Sequence, residues 1–211
     1  MSQPKLVITA DDYGMSPLFN RGIEELAFLG LVTGISVMVK QPFVEPTQLD
    51  FPRVAIGLHL ELKENSNYQE IKNQLLSFRE KFGRLPAYLD GHRHCHLTKA
   101  NLSIVIKVAR EFYLPVRSRF PEDREKFTHQ SIPTSQNFIS WHPSRLSVLR
   151  GRLKEAEGYS FSELVVHPGY FDQNCDYPYN QERESEILFL KSDQFQTLIS
   201  PFRLVSYLEL I

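Results

Sequence analysis

Short β-rich apolar segments alternate with segments of helical periodicity along the whole chain. The first three apolar segments lie at residues 6–10, 34–39 and 54–60, and helical patterns separate them. This alternation predicts βαβ units, in which crossover helices join parallel strands. About seven strands with intervening helices suit an α/β fold of the distorted (β/α) TIM-like barrel type. A doubly wound open sheet is the alternative that the pattern leaves open.

The individual elements follow from local start and stop signals. Ser16 and Pro17 predict the start of a first helix that ends near Gly30. Residues 121–141 mix charge, proline and hydroxyl side chains, and they predict either a sixth strand or a loop that covers a site. Further helices are predicted over 68–82, 98–109 (with Thr98 as its cap), 143–157 and 181–199 (with a break near Ser192), and further strands over 87–90, 116–118, 164–167 and 202–207.

The composition indicates one soluble domain over residues 1–211. Because 24 Lys and Arg residues nearly balance 25 Asp and Glu residues, the net charge of −1 gives no reason to expect nucleic acid or an anionic membrane as a partner. No apolar run approaches the ~18 residues of a membrane helix. Two cysteines give no disulfide framework, and Asp11 follows the first apolar run too closely for a signal peptide, so we expect a cytoplasmic protein.

Acidic and histidine side chains follow several of the predicted strands. Asp11 and Asp12 come after the first strand, and His59 lies near the end of the third. His92 and His167 follow two later strands. Because the carboxyl ends of parallel strands share one face, we expect these side chains to gather at one site.

Taken singly, these residues also have ordinary structural explanations. An Asp-Asp pair can form a polar turn that caps a helix, and a lone histidine such as His59 can be a hydrogen-bonded core residue. His167 precedes a Pro-Gly turn and is either a turn residue or an acid/base group. The functional interpretation therefore depends on the residues occurring together.

The densest histidine cluster is the Asp-Gly-His-Arg-His-Cys-His segment at residues 90–96. In an extended chain alternate residues share a face, so His92, His94 and His96 would align while the residues between them point away. Three aligned imidazoles favour a metal or substrate role over a solvated loop.

The donor types indicate the kind of metal and the kind of chemistry. Imidazole and carboxylate ligands suit Zn²⁺ and its transition-metal neighbours, and Mg²⁺ or Mn²⁺ suits a more oxygen-rich shell. An Asp and two His leave coordination positions open for water and substrate, which is typical of hydrolytic sites. A second carboxylate can take a proton from water, and a histidine can donate one to a leaving group. Asp11, Asp12, His59, His92 and His167 supply such a set.

Four short motifs, in this order, resemble those of the YdjC-like carbohydrate deacetylases, the group that includes the chitooligosaccharide deacetylases. The motifs are TADDYG at 9–14, GLHL at 57–60, DGHRHCH at 90–96 and HPG at 167–169. Together they span nearly the whole chain. The resemblance implies a distorted (β/α) barrel, one YdjC-like deacetylase domain, and one divalent metal ion, either Mg²⁺ or Zn²⁺.

The resemblance also implies a role for each matching residue. Asp12, His59 and His92 match the metal ligands, and Asp11 matches the general base. His167 matches the general acid or the residue that stabilises the tetrahedral intermediate. Further candidates for substrate contact or for support of the ligands are His94, His96 and Arg117, of which Arg117 would contact substrate or orient Asp11.

The implied activity is metal-dependent hydrolysis of the N-acetyl group of a small acetylated amino sugar or short chitooligosaccharide, and the resemblance is compatible with a homodimer. Two alternatives stay open: a metal-dependent hydrolase of another amide or of a phosphoester, and a non-catalytic sugar-binding protein on the same fold. The chain lacks a basic, glycine-rich phosphate loop, which favours the amide. His92 lies only 33 positions after His59, in an interval where longer family members carry an insertion, so the sugar can differ in identity or length.

Overall fold

A parallel sheet of seven strands frames the structure, which is a computed structural model that describes residues 3–210. The strands are β1 (Lys5–Tyr13), β2 (Gly34–Val37), β3 (Ala55–Leu60), β4 (Leu89–Gly91), β5 (Asn137–Ser140), β6 (Phe161–Val166) and β7 (Arg203–Leu204). The helices are α1 (Pro17–Phe28), α2 (Tyr68–Phe82), α3 (Leu102–Phe112), α4 (Pro121–His129), α5 (Leu146–Ala156), α6 (Arg183–Leu190) and α7 (Asp193–Ile199). The predicted alternation of strands and helices is confirmed.

The sheet curls into a barrel that is incompletely closed. Its strand order is β4-β3-β2-β1-β6-β5, and β7 pairs with the first residues of β1 on the edge opposite β6. Between β4 and β5, Leu89 forms an isolated parallel bridge with Val116, and the Val116 amide donates to the carbonyl of Pro133 at 3.0 Å. The predicted distorted (β/α) barrel is therefore confirmed, and the strand predicted at 116–118 is present only as this bridge.

The central strands are buried along nearly their whole length, because helices cover the outside of a (β/α) barrel and side chains fill its interior. In β1 every residue after Lys5 is buried, and β3 and β6 are buried throughout. The helices contribute apolar faces to the same core, for example through Ile23 of α1 and Phe78 of α2. Within residues 3–210, none of the helices is long and apolar enough to cross a bilayer.

Three predicted elements differ from the structure. Residues 121–141 contain both a helix, α4, and the strand β5; α4 begins at Pro121 and has a weakly amphipathic sequence, which hides it from periodicity. The cap of α3 is Asn101 rather than Thr98. The last strand is shorter than predicted because β7 pairs only with the first two residues of β1, while β2 pairs with the later ones.

Gly57 in β3 provides a test of how tightly the barrel interior is packed. A Cβ at this position would lie 2.3 Å from Cζ of Tyr88, whose ring stacks on Tyr207 with 4.1 Å between ring centroids. We expect Gly57→Ala to lower the free energy of unfolding by about 1–3 kcal/mol in urea denaturation, because this aromatic pair must shift. Gly151→Ala in α5 is the control: a Cβ there meets nothing within 4 Å, and we expect a gain of up to about 1 kcal/mol. Equal destabilisation by both variants would contradict this packing.

Candidate metal centre

An irregularity in β1 directs two adjacent carboxylates to one cluster of side chains. Consecutive residues of a regular strand point to opposite faces. Here the pairing of β1 with β2 shifts register between Ala10 and Tyr13, and Asp12 adopts a left-handed backbone conformation with φ 71°. As a result, Nε2 of His59 lies 3.5 Å from Oδ1 of Asp12 and 3.9 Å from Oδ2 of Asp11. Strand irregularities of this kind commonly re-aim side chains at functional sites.

Three donor atoms converge beside this irregularity. They belong to Asp12, His59 and His92, and all lie within 4.8 Å of one another. Nδ1 of His92 is 3.0 Å from Oδ1 of Asp12. The Asp12 and His59 side chains are buried, whereas the His92 side chain is 21% exposed, so the cluster opens to solvent on the His92 side.

A second group of possible ligands, Asp11, His59 and Asp90, is equally compact but its oxygens are already paired. Arg117 binds Asp11 in a bidentate manner, with N–O distances of 2.7 and 2.9 Å. Asp90 accepts from Nδ1 of His59 at 2.8 Å with one oxygen and from Ser36 at 2.6 Å with the other. These groups support the site, and the Asp12, His59 and His92 atoms are the better set to hold a cation.

The proposed ligands are oriented by buried polar partners. The Asp90 carboxylate on Nδ1 of His59 fixes the imidazole so that Nε2 faces Asp12, which is the usual arrangement behind a metal-binding histidine. Arg183 donates to Oδ2 of Asp12 at 2.5 Å and leaves Oδ1 facing the two imidazoles. The geometry of the donor atoms is therefore set before any cation binds.

Arg117 determines the ionisation of Asp11. Its side chain is fully buried and also donates from Nε to Glu163 at 2.9 Å. Burial alone would raise the pKa of the Asp11 carboxyl, but the charge of Arg117, with a smaller contribution from His59, holds that pKa well below its usual range. Asp11 is thus a carboxylate at neutral pH, and its two hydrogen bonds with the buried Arg117 fix its orientation.

His167 enters the site from the end of β6. Its backbone amide donates to Glu186 at 2.6 Å, and its ring packs edge-on against Tyr179 with 5.6 Å between centroids. The imidazole is near enough to be among the smaller contributions that lower the pKa of both the Asp11 and the Asp12 carboxyl. Among the residues that the structure describes, none hydrogen-bonds to either ring nitrogen, so the ring can donate to a bound molecule.

The prediction that His92, His94 and His96 share one face is wrong. The segment after β4 is a short 3-10 turn rather than extended chain, and His94 has a left-handed φ of 57°. The turn folds back on Gly91, where a Cβ would lie 2.9 Å from Sγ of Cys95. The missing side chain at Gly91 makes this close approach possible, and only His92 reaches the donor cluster.

His94 and His96 lie apart from the donor atoms. Nε2 of the buried His96 is 3.1 Å from the carbonyl oxygen of Arg117, and burial lowers the pKa of this imidazole. His94 packs edge-on against Phe138 at 5.3 Å; burial, followed by the charges of Arg117 and Arg119, lowers its pKa to about 3. Both rings are therefore neutral at physiological pH. Their contacts with Phe138 and with the carbonyl of Arg117 hold the loop that carries His92.

Four residues of the site have no role in the sequence-based prediction: Asp90, Glu163, Tyr177 and Arg183. Asp90 lies within a quoted motif at a strand end, so position alone could have suggested it. Tyr177 has its ring 5.7 Å from that of His92, and Arg183 reaches Asp12 from α6. Neither residue stands in a short motif. The loop between β6 and α6 brings Tyr177 back to the site, and α6 brings Arg183.

Comparison with known proteins places the chain in a family. The protein-family model described as "YdjC-like protein" matches residues 5–68 and 66–200 of this chain. The chain belongs to the YdjC-like protein family. The match breaks at residues 66–68, which lie in the short interval between His59 and His92.

Individual relatives agree with this assignment. The YdjC-like chain is 28% identical to a carbohydrate deacetylase of Enterococcus faecalis, over 89% of this chain and 91% of the relative. A crystal structure from Enterococcus faecalis V583, described as a candidate cellobiose-phosphate cleavage protein, has a TM-score of 0.84 and 25% identity, and 99% of each chain is covered. A family 4 acetyl xylan esterase from Clostridium thermocellum, solved with a cobalt ion, shares the fold with a TM-score of 0.58 and 13% identity, over 98% of this chain and 89% of that one.

Asp90→Asn tests the support given to His59. We expect this variant to bind Zn²⁺ or Co²⁺ about tenfold more weakly in isothermal titration calorimetry, because a neutral amide holds the His59 tautomer less firmly than a carboxylate. Asp50→Asn, at an exposed aspartate, is the control and should bind like the parent protein. Unchanged affinity in Asp90→Asn, with the fold intact by circular dichroism, would show that Asp90 does not orient the ligand.

Proposed function

We propose that this chain is a metal-dependent hydrolase that removes the N-acetyl group from an acetylated amino sugar or a short chitooligosaccharide-like chain. The observation that carries the proposal is the convergent set of Asp12, His59 and His92 donors, which opens to solvent on the His92 side, beside an ionised Asp11 that Arg117 holds. The carbohydrate deacetylase relative supports the reaction type and a carbohydrate substrate.

The donor set fits a single divalent cation. One carboxylate oxygen and two imidazole nitrogens are the ligands of many hydrolytic metal sites, and they suit Zn²⁺ better than Mg²⁺. Buried carboxyl groups around the site also outnumber the buried guanidinium groups. The carboxyl groups are those of Asp11, Asp12, Asp90 and Glu163, and the guanidinium groups are those of Arg117 and Arg183. A cation would therefore offset negative charge. When bound, a divalent cation polarises an amide carbonyl and makes a water molecule more acidic.

Asp11 is the proposed general base. Its carboxylate lies 3.9 Å from Nε2 of His59, next to the donor cluster, and it stays ionised because Arg117 holds it. In this position Asp11 can accept a proton from a water molecule that attacks the acetamide carbonyl. The guanidinium also fixes the direction in which the carboxylate oxygens point.

His167 is the proposed general acid. Two residues of α6, Glu186 and Arg183, hydrogen-bond to the backbone of His167 and fix its position, and its ring nitrogens keep their donor capacity. A protonated imidazole can donate to the amine as the C–N bond breaks, which gives acetate and a free amino sugar. Asp11 and His167 thus divide the two proton transfers between them.

Substitutions of the two adjacent aspartates separate metal binding from catalysis. We expect Asp11→Asn to retain stoichiometric metal and to lower kcat for acetate release from N-acetylated chitooligosaccharides by about 10²–10⁴-fold, because the base is lost. Asp12→Asn and His92→Ala should lose metal and activity together. Metal content by atomic emission and acetate by an enzyme-coupled assay give the two readouts.

Two outcomes would contradict this division of roles. Metal loss in Asp11→Asn would make Asp11 a ligand rather than a base. Metal-dependent cleavage of a phosphoester, with no acetate released from any acetylated sugar, would favour the alternative hydrolase. Asp50→Asn serves as the surface control in both assays.

A further inference from the structure

A polar pocket lies beside α2, at the carboxyl ends of β2 and β3. It has a volume of about 350 Å³, which is within the range of small-ligand pockets. Its walls come from the segment after β2, from the loop of residues 61–67 that joins β3 to α2, and from α2 itself. We call it the α2 pocket, and its lining includes Lys40, Glu61, Lys63, Glu70, Asn73 and Gln74. Neither the proposed reaction nor the sequence motifs give these residues a task.

The α2 pocket adjoins the candidate metal centre through Gln41. A Cβ at Gly14, two residues after Asp12, would lie 3.6 Å from Cβ of Gln41. Nε2 of Gln41 in turn donates to Glu61 at 2.6 Å. Glu61 follows His59 by two residues, which is about 7 Å along an extended chain. The pocket and the metal centre are therefore neighbouring parts of the surface at the carboxyl ends of the strands.

The lining of the α2 pocket carries positive and negative charges in equal number. Lys40 and Lys63 balance Glu61 and Glu70. Within residues 3–210, none of these four side chains has an ion-pair partner within 4 Å. An ionic ligand would meet like charges here, whereas hydroxyl groups can accept from the lysines and donate to the carboxylates. The pocket is therefore suited to a neutral ligand with many hydroxyl groups.

One oxygen of Glu61 is left for such a ligand. Oε1 accepts from Gln41, but Oε2 is buried and has no hydrogen-bond partner in the described part of the chain. A buried acceptor without a partner is unfavourable, and a hydroxyl donor would satisfy it. The backbone of Glu61 is fixed by the buried Gln74, whose side-chain amide accepts from the Glu61 N–H at 3.0 Å and donates to its carbonyl at 3.1 Å. Glu61 is thus a fixed acceptor at the pocket wall.

We propose that the α2 pocket is a sugar subsite, which binds the neutral saccharide unit next to the one whose N-acetyl group lies at the metal centre. This inference rests on the proposed deacetylase function and locates the second sugar of its substrate. Glu61 is the specificity-determining residue as the acceptor of a sugar hydroxyl, and Lys63 is a donor beside it. The family-model match breaks at residues 66–68, in the loop that forms this wall, so membership of the family does not by itself assign the subsite.

The test is binding by isothermal titration calorimetry with saturating Zn²⁺. It uses the Asp11→Asn variant, so that the saccharide is not consumed. The probes are N-acetylglucosamine and its β-linked disaccharide. We expect the disaccharide to bind about tenfold more tightly, because its second sugar adds hydrogen bonds in the α2 pocket. Equal affinity for the two saccharides would overturn the proposal.

A pair of substitutions in the same background locates the preference. Glu61→Gln combined with Lys63→Gln should reduce the preference for the disaccharide to within about twofold, because a hydroxyl acceptor and a charged donor are lost. Glu61→Gln keeps an oxygen for Gln41, so the contact with the metal centre is retained. The matched control is Glu64→Gln combined with Lys81→Gln, which changes the same charges at exposed residues outside the α2 pocket and should keep the full preference. A preference that survives the Glu61 and Lys63 substitutions would overturn the proposal.

Acetate release by the parent protein separates this proposal from the proposed function. A disaccharide preference that depends on Glu61 and Lys63, without acetate release from either saccharide, would support the subsite and contradict the deacetylase function. Acetate release from two saccharides that bind with equal affinity would support the deacetylase function and overturn the subsite.

Discussion

The site depends on one buried guanidinium group. Arg117 has no exposed surface, and its nitrogens contact the carboxylates of Asp11, Asp90 and Glu163 at 2.7–2.9 Å. An isolated buried charge is strongly destabilising, so each of these groups is tolerated only because the others are present. Asp90 in turn orients His59. The proposed base and one proposed metal ligand therefore take their positions from the same cation.

Local departures from regular backbone bring the other groups to this centre. The register shift and the left-handed φ at Asp12 let two adjacent carboxylates reach one cluster. The turn that folds back on Gly91 directs His92, and not His94, to the same place. Such conformations are unfavourable by themselves and persist where surrounding contacts fix them, as the buried Arg183 does for Asp12.

The elements with strong local signals could be predicted from the sequence, and so could the position of the site at the carboxyl ends of the strands. The helix over Tyr68–Phe82 has the predicted bounds, and Ser192 separates the last two helices as predicted. What the sequence could not show depends on contacts between distant segments: Arg183 reaches Asp12 from α6. The alternation of the histidines was misleading because it assumes an extended backbone, which the turn after β4 does not have.

We propose that Asp12, His59 and His92 hold a cation while Asp11 stays paired with Arg117. Diffraction data collected at the absorption edge of Zn²⁺ or Co²⁺, from crystals grown with that metal, test it most directly. We expect one anomalous peak within bonding distance of the Asp12, His59 and His92 donor atoms, with the Asp11–Arg117 pair intact. A peak coordinated by Asp11 and Asp90, with Arg117 displaced, would contradict it.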